Sequence, residues 1–147
     1  VVAHFHYTMV GGAIMAFMAG LYYWFPKFSG RMYLDLPAKI GFTFVFLGFN
    51  VTFLPQFIMG IRGLPRRYWN YPPEFELLNK TSTIGSYMIA IGIFISFVYL
   101  VRSLYKGLKA SDNPWGARTL EWQTSSPPFH ENFEKQPVVT KGPYDFS

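Results

Sequence analysis

Long uncharged apolar stretches alternate with short polar connections along this chain. No Asp, Glu, Lys or Arg occurs between Val1 and Pro26. A second apolar stretch covers about residues 37–61 and is uncharged from Ile40 onward. A third covers about residues 81–105 and is uncharged from Thr81 to Val101. A helix needs roughly 20 mostly apolar residues to cross a bilayer, and each stretch meets that length. Runs this long and without alternation argue against strands. The pattern therefore predicts an all-α membrane protein with three transmembrane helices. Asp35 as a cap and Pro37 in the first turn mark the start of the second helix. Pro55 falls late in that helix, where Asn50 and Thr52 are the polar groups at hand to compensate for it. Gly12, Ala16 and Gly20 on the first helix, and Gly92 and Ser96 on the third, form small-residue stripes expected to serve packing.

Beyond about Ser111 the apolar pattern stops, and Pro, Gly, Ser and Asn become frequent. Residues 1–110 are thus expected to be the transmembrane part and residues 111–147 an extended C-terminal tail. Topology follows from the basic residues. Lys27, Arg31 and Lys39 in the first connection share one side with Arg102, Lys106, Lys109, Arg118, Lys135 and Lys141 of the tail. The opposite connection carries Arg62, Arg66, Arg67 and Lys80. The positive-inside rule then puts the tail on the inner side, and the start of the first helix near Arg66-Arg67 on the outer side. The net charge of +5 follows this topology and does not suggest a nucleic-acid partner. The absence of cysteine removes disulfides, thiolate-bound clusters and covalent c-type haem attachment. The chain starts abruptly within apolar sequence and is expected to be the C-terminal part of something larger, a split polypeptide or a fragment.

Two ionisable residues stand inside the first apolar run, His4 and His6. An ionisable residue in a membrane span is a functional-site candidate by default. Each helical residue advances about 100°, so these two side chains point about 200° apart. That geometry suits two flat cofactors flanking one helix, with Phe5 between them, better than one chelated metal ion. Neutral imidazole is a common haem-iron ligand. A buried haem also carries propionates whose charge must be paired, and adjacent arginines such as Arg66-Arg67 form the bidentate bonds required. Taken one at a time, the histidines read as structural hydrogen-bonders and the arginine pair as membrane-surface charge. His130 in the tail reads as a surface residue.

The combination is more specific than its parts. Val1-Val2-Ala3-His4-Phe5-His6-Tyr7 resembles the signature on the tenth helix of haem-copper oxidase subunit I. The blocks Trp24-Phe25-Pro26, Asn50-Val51-Thr52-Phe53 with Pro55-Gln56, Pro65-Arg66-Arg67-Tyr68 with Tyr71-Pro72, and Leu120-Glu121-Trp122 follow in the same order. The resemblance implies helices ten to twelve of a twelve-helix bundle plus the tail. It implies that His4 is the axial ligand of the high-spin, oxygen-binding haem and the catalytic position. It implies that His6 is one ligand of the low-spin haem, Phe5 the aromatic residue between the haems, and Arg66 and Arg67 the propionate contacts.

The same resemblance implies two haems, expected to be of a type, and copper bound by residues upstream of this chain. Implied partners are the N-terminal part of subunit I, subunits II and III, cytochrome c as electron donor, and the lipid bilayer. The implied activity is reduction of oxygen to water with proton pumping, performed by the complex and not by this chain alone. The tail from Val138 to Asp145 looks bacterial, which favours the cytoplasmic membrane over the mitochondrial inner membrane. Three alternatives remain open at this point: a quinol oxidase of the same superfamily, a non-catalytic membrane anchor with structural histidines, and a metal-transport helix.

Overall fold

The computed structural model describes residues 1–140 and 142. Lys141 and residues 143–147, and with them the end of the tail signature, lie outside the described residues. Three helices are long and apolar enough to cross a membrane: Val2–Ser29, Asp35–Ile61 and Pro73–Lys106, with mean hydropathies of 1.3, 1.7 and 2.2. The first comprises α1 (Val2–His6), a π-helical segment (Tyr7–Ile14) and α2 (Met15–Ser29). The second is α3 (Asp35–Ile61), which opens with Asp35 in its first turn. The third begins with a 3₁₀ turn (Pro73–Phe75) and continues as α4 (Glu76–Lys106). The second and third extend past their uncharged windows, with charged residues at their starts paired locally. The exposed i,i+4 pairs Asp35–Lys39 (3.5 Å) and Glu76–Lys80 (2.6 Å) are examples.

The chain forms two compact units. The first comprises residues 1–19 and 35–99. Its helices α3 and α4 meet along a seam of small residues. A side chain on Gly48 would lie 2.7 Å from the Ile89 nitrogen and 2.8 Å from the Gly85 carbonyl. One on Gly92 would lie 2.7 Å from the Gly41 carbonyl. Only glycine permits so close a backbone approach, and in lipid it is packing, not water exclusion, that joins helices. The Ser82 hydroxyl donates across the seam to the Thr52 carbonyl at 2.8 Å. Asn50 and Thr52, the candidates to relieve Pro55, donate instead one turn upstream, to the Phe46 and Gly48 carbonyls (2.8 and 2.7 Å). An adjacent face of α3 carries Phe49, Phe53 and Phe57 at four-residue spacing and receives the first helix. Phe53 stacks on His6, and Phe49 and Phe57 flank the Tyr7 ring. The stripe expected at Gly12, Ala16 and Gly20 is not used this way: a side chain on Gly12 would meet nothing within 4 Å, and one on Gly20 only the nearby Trp24 ring.

Large apolar side chains such as Phe42, Phe57, Phe94 and Phe97 stand exposed on these helices. Apolar surface of this extent on a chain with few charges requires a non-aqueous surrounding.

The second unit comprises residues 20–34 and the chain from Leu100 onward. Here β1 (Arg31–Met32) pairs antiparallel with β2 (Leu108–Lys109). No periodicity signals so short a pairing, because two residues cannot establish alternation. Among the described residues the tail is irregular apart from a 3₁₀ turn at Leu120–Trp122 and an isolated antiparallel bridge between Phe129 and Asn132. It is nonetheless anchored. Trp122 is buried, its ring meets Tyr23 edge-on at 5.2 Å, and the Trp115 indole donates to the Tyr23 carbonyl at 3.0 Å.

Candidate functional site

The turn bearing both histidines is α-helical; the π-helical segment starts at the next residue, Tyr7. The opposed orientation argued from helical geometry therefore applies to His4 and His6. Their surroundings differ accordingly. His4 is exposed. His6 is half-buried, and its ring stacks on Phe53 with centroids 4.6 Å apart and planes within 13°. Phe5, between them, is exposed and meets His6 edge-on at 5.5 Å.

His6 has a defined hydrogen-bonding state. Its Nδ1 lies 2.8 Å from the Val2 carbonyl oxygen. A carbonyl only accepts, so Nδ1 carries a proton, and in the neutral ring the lone pair then resides on Nε2. This is the tautomer a metal-ligating imidazole needs, with a backbone carbonyl fixing the ring. The donor chemistry at His6 thus fits an iron ligand. The next residue ties the same turn to α3. The Tyr7 hydroxyl donates to Asn50 Oδ1 at 2.9 Å, and the Asn50 amide is itself committed to the Phe46 carbonyl. Gly11, within the π-helical segment, makes room for Phe49, whose ring carbon would lie 3.2 Å from an added Cβ. Wide π turns are frequent at functional sites, and nothing in the apolar pattern distinguishes one from an α-helix.

The arginine pair reaches the same end of this unit through the way α3 stops. Gly63 adopts a left-handed conformation (φ 91°). The Gly63 N–H donates to the Gly60 carbonyl (3.2 Å) and the Leu64 N–H to the Met59 carbonyl (3.0 Å). This double bond pattern is the Schellman termination, and it turns the chain out of the helix. Pro65, Arg66 and Arg67 follow. The loop is then held to the start of α4, where the Tyr68 hydroxyl donates to Asn79 Oδ1 at 2.7 Å.

As a result Arg66 and Arg67 line a cavity of about 580 Å³ together with Val1, Val2, Gln56 and Tyr68. The start of the first helix, at Val1 and Val2, and the arginine pair therefore share one concavity. Arg67 adopts φ 61°, a left-handed conformation that costs a non-glycine residue roughly 1–2 kcal/mol. Such strain concentrates where a side chain is held for a purpose. Gln56 is the residue sequence reasoning missed as a site member. Its Oε1 is buried without a hydrogen-bond partner among the described residues, and it lines the same cavity. Its one sequence signal is a polar amide directly after a proline inside an apolar span.

Among the described residues no three His, Cys, Asp or Glu side chains converge on a common metal position. His130 lies in the irregular tail and is exposed.

The profile of the family described as "Cytochrome C and Quinol oxidase polypeptide I" matches residues 1–104. The chain is 48% identical over 146 residues, 99% of its length, to cytochrome c oxidase subunit 1 of Thermostichus vulcanus. It is likewise 48% identical over 146 residues to the subunit 1 of Synechocystis. It is 47% identical over 142 residues, 96% of its length, to a heme-copper oxidase subunit I+III of Aeropyrum pernix. The chain spans 26% of the length of each of the first two relatives and 17% of the third. With the histidine turn, the arginine loop and all but the last two residues of the three membrane-length helices inside the matched region, this chain belongs to the family of cytochrome c and quinol oxidase polypeptide I.

Proposed function

We propose that this chain is the C-terminal part of the catalytic subunit of a proton-pumping terminal oxidase that reduces oxygen to water with electrons from cytochrome c. The observation that carries the reading is the hydrogen bond from His6 Nδ1 to the Val2 carbonyl, which leaves Nε2 of the neutral ring for a metal. In this reading His6 would hold the iron of the low-spin haem, and His4, the catalytic position, would hold the iron of the high-spin haem. Phe5 separates the two. Arg66 and Arg67 pair with propionates, and Gln56 lines the same cavity. When bound, the two haems, of a type in this proposal, supply one-electron redox chemistry and, with copper held by residues outside this chain, the oxygen-reducing centre. This chain's own residues orient the ligands: Phe53 holds the His6 plane, Tyr7 ties the ligand turn to α3, and the arginine loop supplies positive charge that lowers the cost of burying carboxylates.

The partners in this reading are the N-terminal part of subunit I, subunits II and III, cytochrome c and the lipid bilayer. Residues 1–110 form the oxidase core and residues 111–147 the inner-side tail of a protein of the bacterial cytoplasmic membrane. A quinol donor is the second reading, because the family description covers both donors. The names of the relatives in Thermostichus and Synechocystis favour cytochrome c.

Reduced-minus-oxidised spectra of the assembled complex test the ligand assignment. His6→Ala is expected to abolish the low-spin signal, and His4→Ala to disturb the oxygen-reactive haem while sparing the low-spin one. A normal low-spin signal in His6→Ala would refute the reading. Turnover with reduced cytochrome c but not with quinol separates the two donors.

A further inference from the structure

The second unit holds a feature that the oxidase reading does not use. Lys27, near the end of α2, is only 6% exposed. Its ammonium donates to three backbone carbonyls of the tail: Thr124 at 2.7 Å, Asp112 at 2.8 Å and Ser125 at 3.4 Å. The indole of Trp122 covers it, 5.1 Å from nitrogen to ring centroid. An ammonium has three donors, and here three acceptors from two tail segments converge on it. None of these acceptors is a carboxylate. The nearest acidic group is otherwise engaged, since Asp112 Oδ1 accepts from the Ser126 N–H at 2.9 Å. Glu121 and Glu131 line a cavity of about 280 Å³ together with Lys27. Carbonyl oxygens gathered about one point, an aromatic face and flanking carboxylates are the chemistry of a site for a small cation.

We propose that the tail carries a monovalent-cation site formed by the carbonyls of Asp112, Thr124 and Ser125 and the face of Trp122, and that Lys27 fills it in cis, strapping the tail to the end of the first long helix. The proposal stands independently of the haem assignment. Removing the ammonium takes a donor from all three carbonyls, the buried Thr124 carbonyl among them, and an exogenous alkylammonium small enough for the adjoining cavity should replace it.

The experiment is limited trypsin digestion of the assembled complex in membranes. Cleavage after the half-buried Arg118 is compared with cleavage after the exposed Lys135, which serves as internal reference. Lys27→Ala is expected to raise relative cleavage at Arg118 about ten-fold, because proteolysis follows the open population of the strap. Propylammonium is expected to restore protection, and 1-propanol, similar in size but uncharged, is not. Unchanged cleavage in Lys27→Ala, absence of amine rescue, or equal rescue by the alcohol would each overturn the proposal. If the variant fails to assemble, hydrogen exchange on the unaltered complex decides. The Trp122 and Ser126 amides should exchange as slowly as amides in the middle of α4, and fast exchange at both would overturn the strap.

Discussion

Three residues owe their roles to backbone geometry as much as to side-chain type. His6 is held by a carbonyl within its own helix and by a ring from α3, so its imidazole is set before any ligand arrives. Arg67 occupies a left-handed conformation that an arginine adopts only under constraint, at the rim of the cavity it shares with Val1 and Val2. Gln56 leaves one amide oxygen buried and unpaired in that cavity wall. If Arg67 lies beside a propionate, Arg67→Ala removes a positive charge next to a redox centre. The midpoint potential of one haem should then fall by an amount on the order of tens of millivolts. A redox titration of the complex reads this, and unshifted potentials in both haems would count against the clamp. At this scale the sequence exposed the histidines and the arginines, because charge and imidazole are conspicuous in an apolar run. It did not expose the imidazole tautomer or the strained φ, which depend on backbone conformation.

Among the elements, α3 is shared by two different packings. One face is built of small residues, Gly41 and Gly48, against Gly85, Gly92 and Ser96 of α4. The adjacent face is aromatic and receives the histidine helix. The stripe expected on α4 was legible from spacing and meets Gly41 and Val45. The stripe expected on the first helix finds no such partner in this unit, because spacing tells which face is small and not what comes near it. Gly85→Leu should therefore be far more harmful than its helix propensity suggests, since leucine is a better helix former than glycine. A Cβ there would already meet Thr52. Overpacking of this kind is expected to cost about 3 kcal/mol. The measurement is the thermal midpoint of the assembled complex, and an unchanged midpoint would mean that the seam is not close-packed. The π-helical segment after His6 was hidden for a related reason: an α and a π turn accept the same apolar residues and differ only in hydrogen-bond register.

For the whole molecule, the proposed topology places the arginine loop and the tail on opposite sides of the bilayer. The chain has no cysteine, which makes that arrangement directly measurable. Single substitutions Asn70→Cys in the loop and Ser111→Cys in the tail should react with a membrane-impermeant maleimide from the outer and the inner side respectively. Labelling of both from the same side would overturn the odd number of spans. The sequence by itself determined the three membrane-length helices, the positions rich in ligand chemistry and the family, because long uncharged runs and rare polar residues inside them are local signals. Only the tertiary structure decided which carbonyl fixes His6, that Gln56 joins the arginine cavity, and that Lys27 is enclosed by carbonyls 85 to 98 residues away along the chain. The physical reason is that a site built from backbone oxygens leaves no residue-type signature: every residue carries the same carbonyl, and folding alone chooses which of them converge.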